Sequence, residues 1–383
     1  MEQQLYPGQK VLFLALTCFG DAGGVQRVGR ILGFTLASIC SLTPKSTFEM
    51  HVLYDSTTDQ EYIPSQQLIS YNGSKLKFLL KAVIKGRQQD WVILSHIHLL
   101  PIALCIRLFN SRTRIALVAH GIEIWVGLSP WIKRFLRREV SIWAVSHFTK
   151  RTVVNTHNVS PQTVQVVNNC LDPFFKPPGI YAKPLNLLQR YKLSSDDLVM
   201  LTVCRMNRYE HKKGYDIILE LIPKLITQFP RLKYLIGGQI ETQELHRIQR
   251  LISRLDIETY VKFLGFIPEM EMEQHYVLCD LFVLPSQKEG FGLVFIEAAA
   301  CGCPVIAGNI DGSKDALLNG QLGAGVNPND PNEVNDAIVN VLKAGRSDIN
   351  AEKIQAICVK HFSQSQYQEK IKTLLYEKQT VDN

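Results

Sequence analysis

The chain has 383 residues, 46% of them hydrophobic and 20% charged, which is the composition of a soluble globular protein with room for two domains of roughly 150–200 residues each. The opening MEQQLYPGQK has no basic region ahead of its apolar run, and neither that run nor residues 99–106 could span a bilayer, so a cytoplasmic protein without a signal peptide is expected. The nine cysteines are odd in number and scattered through apolar runs; Cys301 and Cys303 form the one close pair, with no Cys or His cluster beside it, which speaks against a disulfide framework or a zinc site.

The net charge of +7 is unevenly placed. Residues 1–175 hold 18 Lys and Arg against 10 Asp and Glu, a surplus of eight, whereas residues 176–383 hold 24 against 25. A basic first half calls for an anionic partner: nucleic acid, an acidic membrane or a phosphate-bearing ligand. Nucleic acid is the poorest of the three, because no basic stretch is interleaved with aromatics in a readout motif.

In chain order, strands are expected at 11–17, 48–54, 91–96, 114–120, 141–146 and 164–168, with helices at 24–40, 74–87, 98–110, 130–139 and 147–157 between them. The stretch LDPFFKPPGIYAKP, 171–184, carries four prolines and reads as a linker. The pattern then restarts with strands at 198–204, 232–238, 260–265, 280–286 and 304–308, again separated by helices, and ends in an amphipathic helix over 362–378. Near-continuous apolar strands alternating with helices predict parallel sheets covered on both faces. The fold class is therefore α/β, with two doubly wound Rossmann-like domains, 1–175 and 176–362, facing a central cleft, and a C-terminal helix in 363–383 packing back on the first.

Residues 288–309 read KEGFGLVFIEAAACGCPVIAGN. A strand ends at 286, glycines at 290 and 292 let backbone amides approach a ligand, and a helix follows, so its N-terminus is an anion site. Yet Glu289 and Glu297 flank that turn. Carboxylates repel phosphate but accept hydrogen bonds from vicinal hydroxyls. A ligand with a diphosphate in the middle and a sugar at each end, a nucleotide-sugar, reconciles the two demands. The cations come from TVCRMNRYEHKKGYD: Arg205 follows the first strand of the second domain, and Lys213 precedes Gly214, which can open the next helix. A planar Arg and a Lys point charge are a common diphosphate pair. The plainer reading is a solvated Glu289, a helix-surface Glu297 and a basic loop crowded by Arg208, His211 and Lys212.

The run EGFGLVFIE, from Glu289 to Glu297, resembles the E-x7-E motif of glycosyltransferase family 4, the retaining enzymes of the GT-B fold. The resemblance extends over most of the chain through GDAGGVQRVGR (20–30), AHGIEIW (119–125), VSHFTKR (145–151), VVNNCLDPFF (166–175) and FLGFIPEMEM, and AGNIDGSKDALLNGQLGAGVNP is similar to the branch that builds exopolysaccharides and colanic-acid-type polymers. It implies that Arg205 and Lys213 clamp the diphosphate, that Glu297 takes the ribose and Glu289 the donor hexose, and that amides of Phe291, Gly292 and Leu293 contact sugar and phosphate. It implies that His120 meets the donor sugar and that Gly23 and Gly24 lie near the phosphates and acceptor. The chain departs from the pattern in having Cys204 where a glycine usually precedes the arginine, and a longer Arg-to-Lys spacing that leaves Lys212 as an alternative to Lys213.

The activity implied is hexosyl transfer with retention, GDP-mannose being the favoured donor and UDP-glucose or UDP-galactose the alternative. No divalent metal and no cofactor are expected, since the nucleotide-sugar is a substrate and no Asp-x-Asp follows a strand. The acceptor is a saccharide or a polyprenyl-diphosphate-linked one. The basic helix SPWIKRFLRREV (129–140), with Trp131, Ile132, Phe135 and Leu136 beside Lys133, Arg134, Arg137 and Arg138, reads either as lying on acidic lipid at the inner face of the membrane or as packed on the sheet. KLKFLLKAVIKGR (75–87) is a second basic stretch. Rival readings are a GT-B nucleotide-sugar epimerase or phosphorylase, a catalytically inert binding subunit, and a dinucleotide oxidoreductase, for which GDAGGVQRVG lacks G-x-G-x-x-G spacing and only Asp55 ends the second strand with an acid.

Overall fold

The computed structural model describes residues 7–20, 23–207 and 211–376. The chain divides into two compact units, one formed by the residues up to Pro173 together with those from Ser363 onward, the other by Phe174–Phe362.

The first unit is built on a seven-stranded sheet: β1 Lys10–Ala15, β2 Thr47–Val52, β3 Leu68–Ser70, β4 Trp91–Leu94, β5 Arg114–Ala119, β6 Val140–Ala144 and β7 Val164–Val166. The order is β3-β2-β1-β4-β5-β6-β7 and every pairing is parallel. β4 and β6 are buried at every residue, as strands covered on both faces must be, and their WVIL and VSIWA sequences supply the apolar side chains for it. The chain runs outward from β1 to β3, then returns to β4 and continues to β7. Right-handed crossovers put the helix Gly24–Leu42 on one face and the helices Lys75–Gly86, Leu100–Phe109, Pro130–Glu139 and His147–His157 on the other. That second layer shares one core with the sheet, in which Phe78, Ile106, Leu136 and Val153 meet Leu12, Val92 and Leu94.

The second unit repeats the plan with six parallel strands: β8 Leu198–Val203, β9 Leu232–Gly237, β10 Val261–Gly265, β11 Leu281–Leu284, β12 Val305–Gly308 and β13 Gly323–Val326, in the order β10-β9-β8-β11-β12-β13. Two doubly wound parallel sheets make the chain α/β, as the alternating pattern predicts. In each sheet the strand order reverses once, between β1 and β4 and between β8 and β11. Those reversals open crevices at the carboxyl ends of the strands, where ligands bind in such folds.

Two strands were not expected. β3 has three residues at a sheet edge within a polar stretch, and β13 is GAGV, with glycines where a strand normally shows branched side chains. Of the two readings left open for the basic helix, packing on the sheet is seen. Phe135 and Leu136 of the basic helix Pro130–Glu139 are core residues, and of its four large apolar side chains only Trp131 is exposed. The apolar edge of that helix, Trp131 apart, is committed to the sheet.

The final helix, Gln364–Tyr376, packs on Gly24–Leu42 and buries Tyr367, Ile371, Leu374 and Leu375. Trp91 Nε1 donates to the Leu375 carbonyl at 3.1 Å, tying the end of the chain to the central strand β4. All four tryptophans, Trp91, Trp125, Trp131 and Trp143, lie in the first unit, so their fluorescence reports on it alone. Ile371→Ala is expected to lower that unit's stability by ~2–5 kcal/mol, read as an earlier urea midpoint in the tryptophan signal; an unchanged midpoint would mean that the last helix is not part of the cooperative unit.

Candidate functional site

The crevice between β8 and β11 brings together two of the sequence-predicted residues. Lys213 ends a short 3-10 turn, 211–213, in the connection after β8, and Glu289 lies in the connection after β11. Lys213 Nζ donates to Glu289 Oε2 at 2.9 Å, both side chains being partly buried. The surrounding backbone holds the two loops in register. The Lys212 carbonyl accepts from Gln287 N at 2.8 Å and from Ser286 Oγ at 3.3 Å. Gly214 has φ +87°, and a Cβ built there would sit 2.3 Å from the Pro285 carbonyl oxygen, so the residue after Lys213 must be a glycine for the loops to approach this closely. Below the loops only Met200 and Leu201 of β8 pair with Leu281 and Phe282 of β11; the buried Thr202 hydroxyl extends this short ladder by donating to the Val283 carbonyl.

The loop after β11 leads into the helix Leu293–Ala300, with Gly292 at its N-cap in a left-handed conformation, φ +89°. The Phe291 side chain is buried edge-on against Phe362, ring centres 5.6 Å apart, so what Phe291 and Leu293 offer at the crevice is backbone. Glu297 is 2% exposed and accepts from Tyr276 Oη at 2.9 Å. Arg205 stands exposed two residues past the end of β8. Of the basic loop weighed as a plain surface feature, Arg208, with its neighbours Tyr209 and Glu210, lies outside the described residues. Among the described residues, no group of three or more His, Cys, Asp or Glu side chains is placed to hold a metal ion.

In the first unit, Gly23 is the N-cap of the helix Gly24–Leu42, and a Cβ on Gly24 would meet nothing within 4 Å. Residues 21 and 22 of the glycine loop lie outside the described residues. The amides just before them already have an anion. The buried Asp55 carboxylate, after β2, accepts from Cys18 N at 2.7 Å, Phe19 N at 2.8 Å and Gly20 N at 3.1 Å, and from Thr17 Oγ1 at 2.5 Å. The acid weighed as a ribose ligand of a dinucleotide enzyme is thus bound to its own loop. His120 follows β5 and is 9% exposed. Its Nε2–H donates to the Ser95 carbonyl at 2.8 Å, and its backbone N donates to Glu123 Oε1 at 2.6 Å. His96, whose Nδ1 accepts from His98 N at 3.2 Å, sits in the same cluster. Burial holds His96 below the usual histidine range, with Glu123 pulling the other way and His98 and His120 adding to the fall. The sequence signal for this cluster was the HIH spacing at 96–98 after a strand, which the reading passed over.

Sequence reasoning also missed Asp311. It is 2% exposed, in the turn after β12, and holds the Glu289 loop. Glu289 N donates to Asp311 Oδ2 at 2.6 Å and Ser313 N to Oδ1 at 3.0 Å, while Gly312 N donates back to the Glu289 carbonyl at 2.8 Å. Burial pushes the Asp311 carboxyl up from 3.8 to about 6, against the pull of the two amides. A raised carboxyl contributes stability that is fully present below about pH 4 and is lost as the pH rises to about 6. Asn at 311 keeps one acceptor oxygen and turns an amide donor toward the other backbone N–H. Asp311→Asn is expected to cost ~1–3 kcal/mol and to remove this drift, so that by calorimetry the wild-type Tm falls relative to the variant between about pH 4 and pH 6. A difference that stays constant over that range would show that the carboxyl is not raised.

Comparisons with known proteins bear on the same crevice. Residues 190–356 match the family model described as glycosyl transferases group 1. The chain is 26% identical over 351 residues to an N-acetyl-alpha-D-glucosaminyl L-malate synthase of Bacillus anthracis, covering 87% of this chain and 88% of that one. It is 28% identical to a GDP-mannose-dependent alpha-(1-6)-phosphatidylinositol monomannoside mannosyltransferase of Mycolicibacterium smegmatis, over 60% of this chain and 61% of that one. Among solved structures, Anabaena HepE in complex with UDP superposes with a TM-score of 0.75 at 20% identity, over 96% of this chain and 99% of that one. WaaG, a glycosyltransferase of lipopolysaccharide biosynthesis, superposes with a TM-score of 0.65 at 13% identity, over 96% and 100%. These likenesses fix the fold as GT-B, and the stretch that matches the glycosyl transferases group 1 model lies within the second unit, which carries the β8/β11 crevice and the Lys213–Glu289 pair.

Proposed function

We propose that the chain transfers a hexose from a nucleoside-diphosphate sugar, with retention at the anomeric carbon, to a lipid-linked or saccharide acceptor of surface polysaccharide synthesis. The observation that carries the reading is the Lys213–Glu289 pair at the switch point. An ammonium has three N–H groups, so Lys213 can donate to Glu289 and to a diphosphate at once. A carboxylate held at that distance from the cation is free to accept from sugar hydroxyls through its second oxygen. The N-terminus of the helix Leu293–Ala300 adds backbone dipole toward the same anion. Charge that develops on the departing diphosphate meets positive groups already in position, Lys213 and Arg205, and this lowers the barrier. Glu297 is assigned the ribose and Glu289 the hexose; His120, Gly23 and Gly24 keep the roles the family resemblance implies. No protein group is assigned as base, the leaving phosphate oxygen taking the acceptor proton on the same face. No divalent metal enters the scheme.

GDP-mannose is the favoured donor, in line with relatives described as GDP-mannose-dependent mannosyltransferases. UDP-glucose or UDP-galactose is the alternative, favoured by the UDP and UDP-glucose complexes of HepE. The reading puts the enzyme in the cytoplasm, at the inner face of the membrane where a polyprenyl-diphosphate acceptor would be presented.

Calorimetric melting without added metal, against UDP, GDP, ADP, dTDP and NAD, tests the donor class. A ligand at about 100 times its Kd adds ~2.7 kcal/mol, a visible rise in Tm; no rise with any nucleoside diphosphate would sink the reading. Lys213→Ala is expected to weaken diphosphate binding and to lower kcat by ~10²–10³. Glu289→Ala should leave free GDP or UDP binding intact and lose the extra affinity for the sugar-nucleotide. Equal weakening of both ligands would show that the roles are wrongly divided.

A further inference from the structure

We infer that Tyr276 is a positioning residue for the nucleotide ribose, acting through Glu297, a role that rests on the assignment of that glutamate to the ribose in the proposed function. Glu297 lies about one turn into the helix Leu293–Ala300 and is buried. Helical side chains lean toward the N-terminus of their helix. The carboxylate therefore leans toward Gly292, where the loop after β11 brings the chain to the crevice. A glutamate side chain has several rotatable bonds, and holding it still costs entropy at the moment a ligand binds unless something has fixed it beforehand. Tyr276 does so: its Oη donates to Glu297 Oε2 at 2.9 Å. The donor is a hydroxyl and not a cation, so it sets the plane of the carboxylate without an opposing charge. An ionised carboxylate accepts at both oxygens, and a hydrogen bond from Tyr276 commits its orientation and not its whole accepting capacity.

Tyr276 has little freedom of its own. It is fully buried near the end of the helix Glu269–Leu278, its ring edge-on to Phe282 of β11 with centres 5.7 Å apart. Phe282 is in turn edge-on to Phe295 at 6.0 Å. Phe295 belongs to the same helix as Glu297, so phenol and carboxylate are both registered on one stack of rings. The residue before Tyr276 fixes the rotation of its helix from another side. His275, also buried, donates through Nδ1 to the Glu271 carbonyl at 2.7 Å and accepts at Nε2 from Tyr191 Oη at 2.8 Å, which ties it to the helix Leu185–Tyr191. A phenylalanine at 276 would fill the same space against Phe282, so what the tyrosine adds is the hydrogen bond.

The test is titration calorimetry of the full chain with GDP and with UDP, each compared with its 2′-deoxy and 3′-deoxy forms. In the wild type a ribose hydroxyl bonded to a carboxylate should make a difference in Kd of about tenfold or more. Tyr276→Phe keeps the ring contacts and should fold. Its affinity for the ribose form should fall toward that of the deoxy form, shrinking the ratio to about threefold or less, while the deoxy form binds it as it binds the wild type. Ile252→Ala opens a cavity in the core of the same unit, on the helix Thr242–Arg254, and should lower Tm while keeping the wild-type ratio. An undiminished ratio in Tyr276→Phe overturns the proposal and leaves the ribose with Glu297. Loss of the ratio in Ile252→Ala as well overturns it in favour of packing alone. A wild type that binds ribose and deoxy forms equally overturns both, because the ribose is then not held by Glu297.

Discussion

The second unit depends on one close approach, that of the connections after β8 and β11. Lys213 and Glu289 are 76 positions apart in the chain, and they meet because the sheet reverses its order between the two strands. The approach is held from three sides: Gly214 against Pro285, the Lys212 carbonyl under Ser286 and Gln287, and Asp311 from the end of β12 under the Glu289 amide. The ion pair gives the acid of the loop after β11 a fixed cationic partner. Two opposite charges at hydrogen-bond distance attract by ~4 kcal/mol at an effective dielectric near 20, and loss of water from partly buried groups offsets much of that. What the pair contributes is position more than stability, a fixed cation and a fixed acceptor within one crevice.

The first unit shows the other outcome of the same topology. The amides after β1 also line a switch point, between β1 and β4, but there the carboxylate of Asp55 accepts from the backbone of 18–20 and from Thr17. A loop whose donors are already engaged by a buried carboxylate has few left for another anion. In the second unit the equivalent connection carries cations, Arg205, Lys212 and Lys213, and no carboxylate of its own among the described residues from 204 to 214. The difference between the two crevices lies in which sign of charge the loop after the first strand receives.

The architecture was legible because parallel strands buried on both faces must be apolar throughout, and LVMLTVC or RIALVAH can be little else. β13 was not, since GAGV packs through backbone: a Cβ on Gly323 would lie 1.9 Å from the Val305 carbonyl oxygen, so the strand is specified by close approach and not by side chains. In the crevice, the E-x7-E spacing and the Lys-Gly step are local in sequence and could be read. The tether from Asp311 could not, because the turn around it, N-I-D-G-S at 309–313, looks like any loop until the Glu289 amide is found beside it. The helix at 130–139 left two readings open, since an amphipathic basic helix has the same pattern whether its apolar edge meets lipid or a sheet. Only burial separates the two, and Phe135 and Leu136 are buried.

The charge asymmetry of the chain follows from this separation. The cations assigned to the donor, Arg205 and Lys213, sit in the half whose net charge is −1, so the surplus of eight in the first half is not there for the diphosphate. Eight of the 18 basic residues of that half lie on two helices, Lys75–Gly86 and Pro130–Glu139, against the single acid Glu139. Both belong to the layer on one face of the sheet, while the helix Gly24–Leu42 on the other face is covered by the last helix of the chain. The surplus is therefore a property of one surface. The same surface carries Leu76, Leu80 and Ile84 turned to solvent. Diffuse positive charge alone would draw any polyanion, whereas charge aligned with an aliphatic stripe favours a partner that presents both anionic and apolar groups.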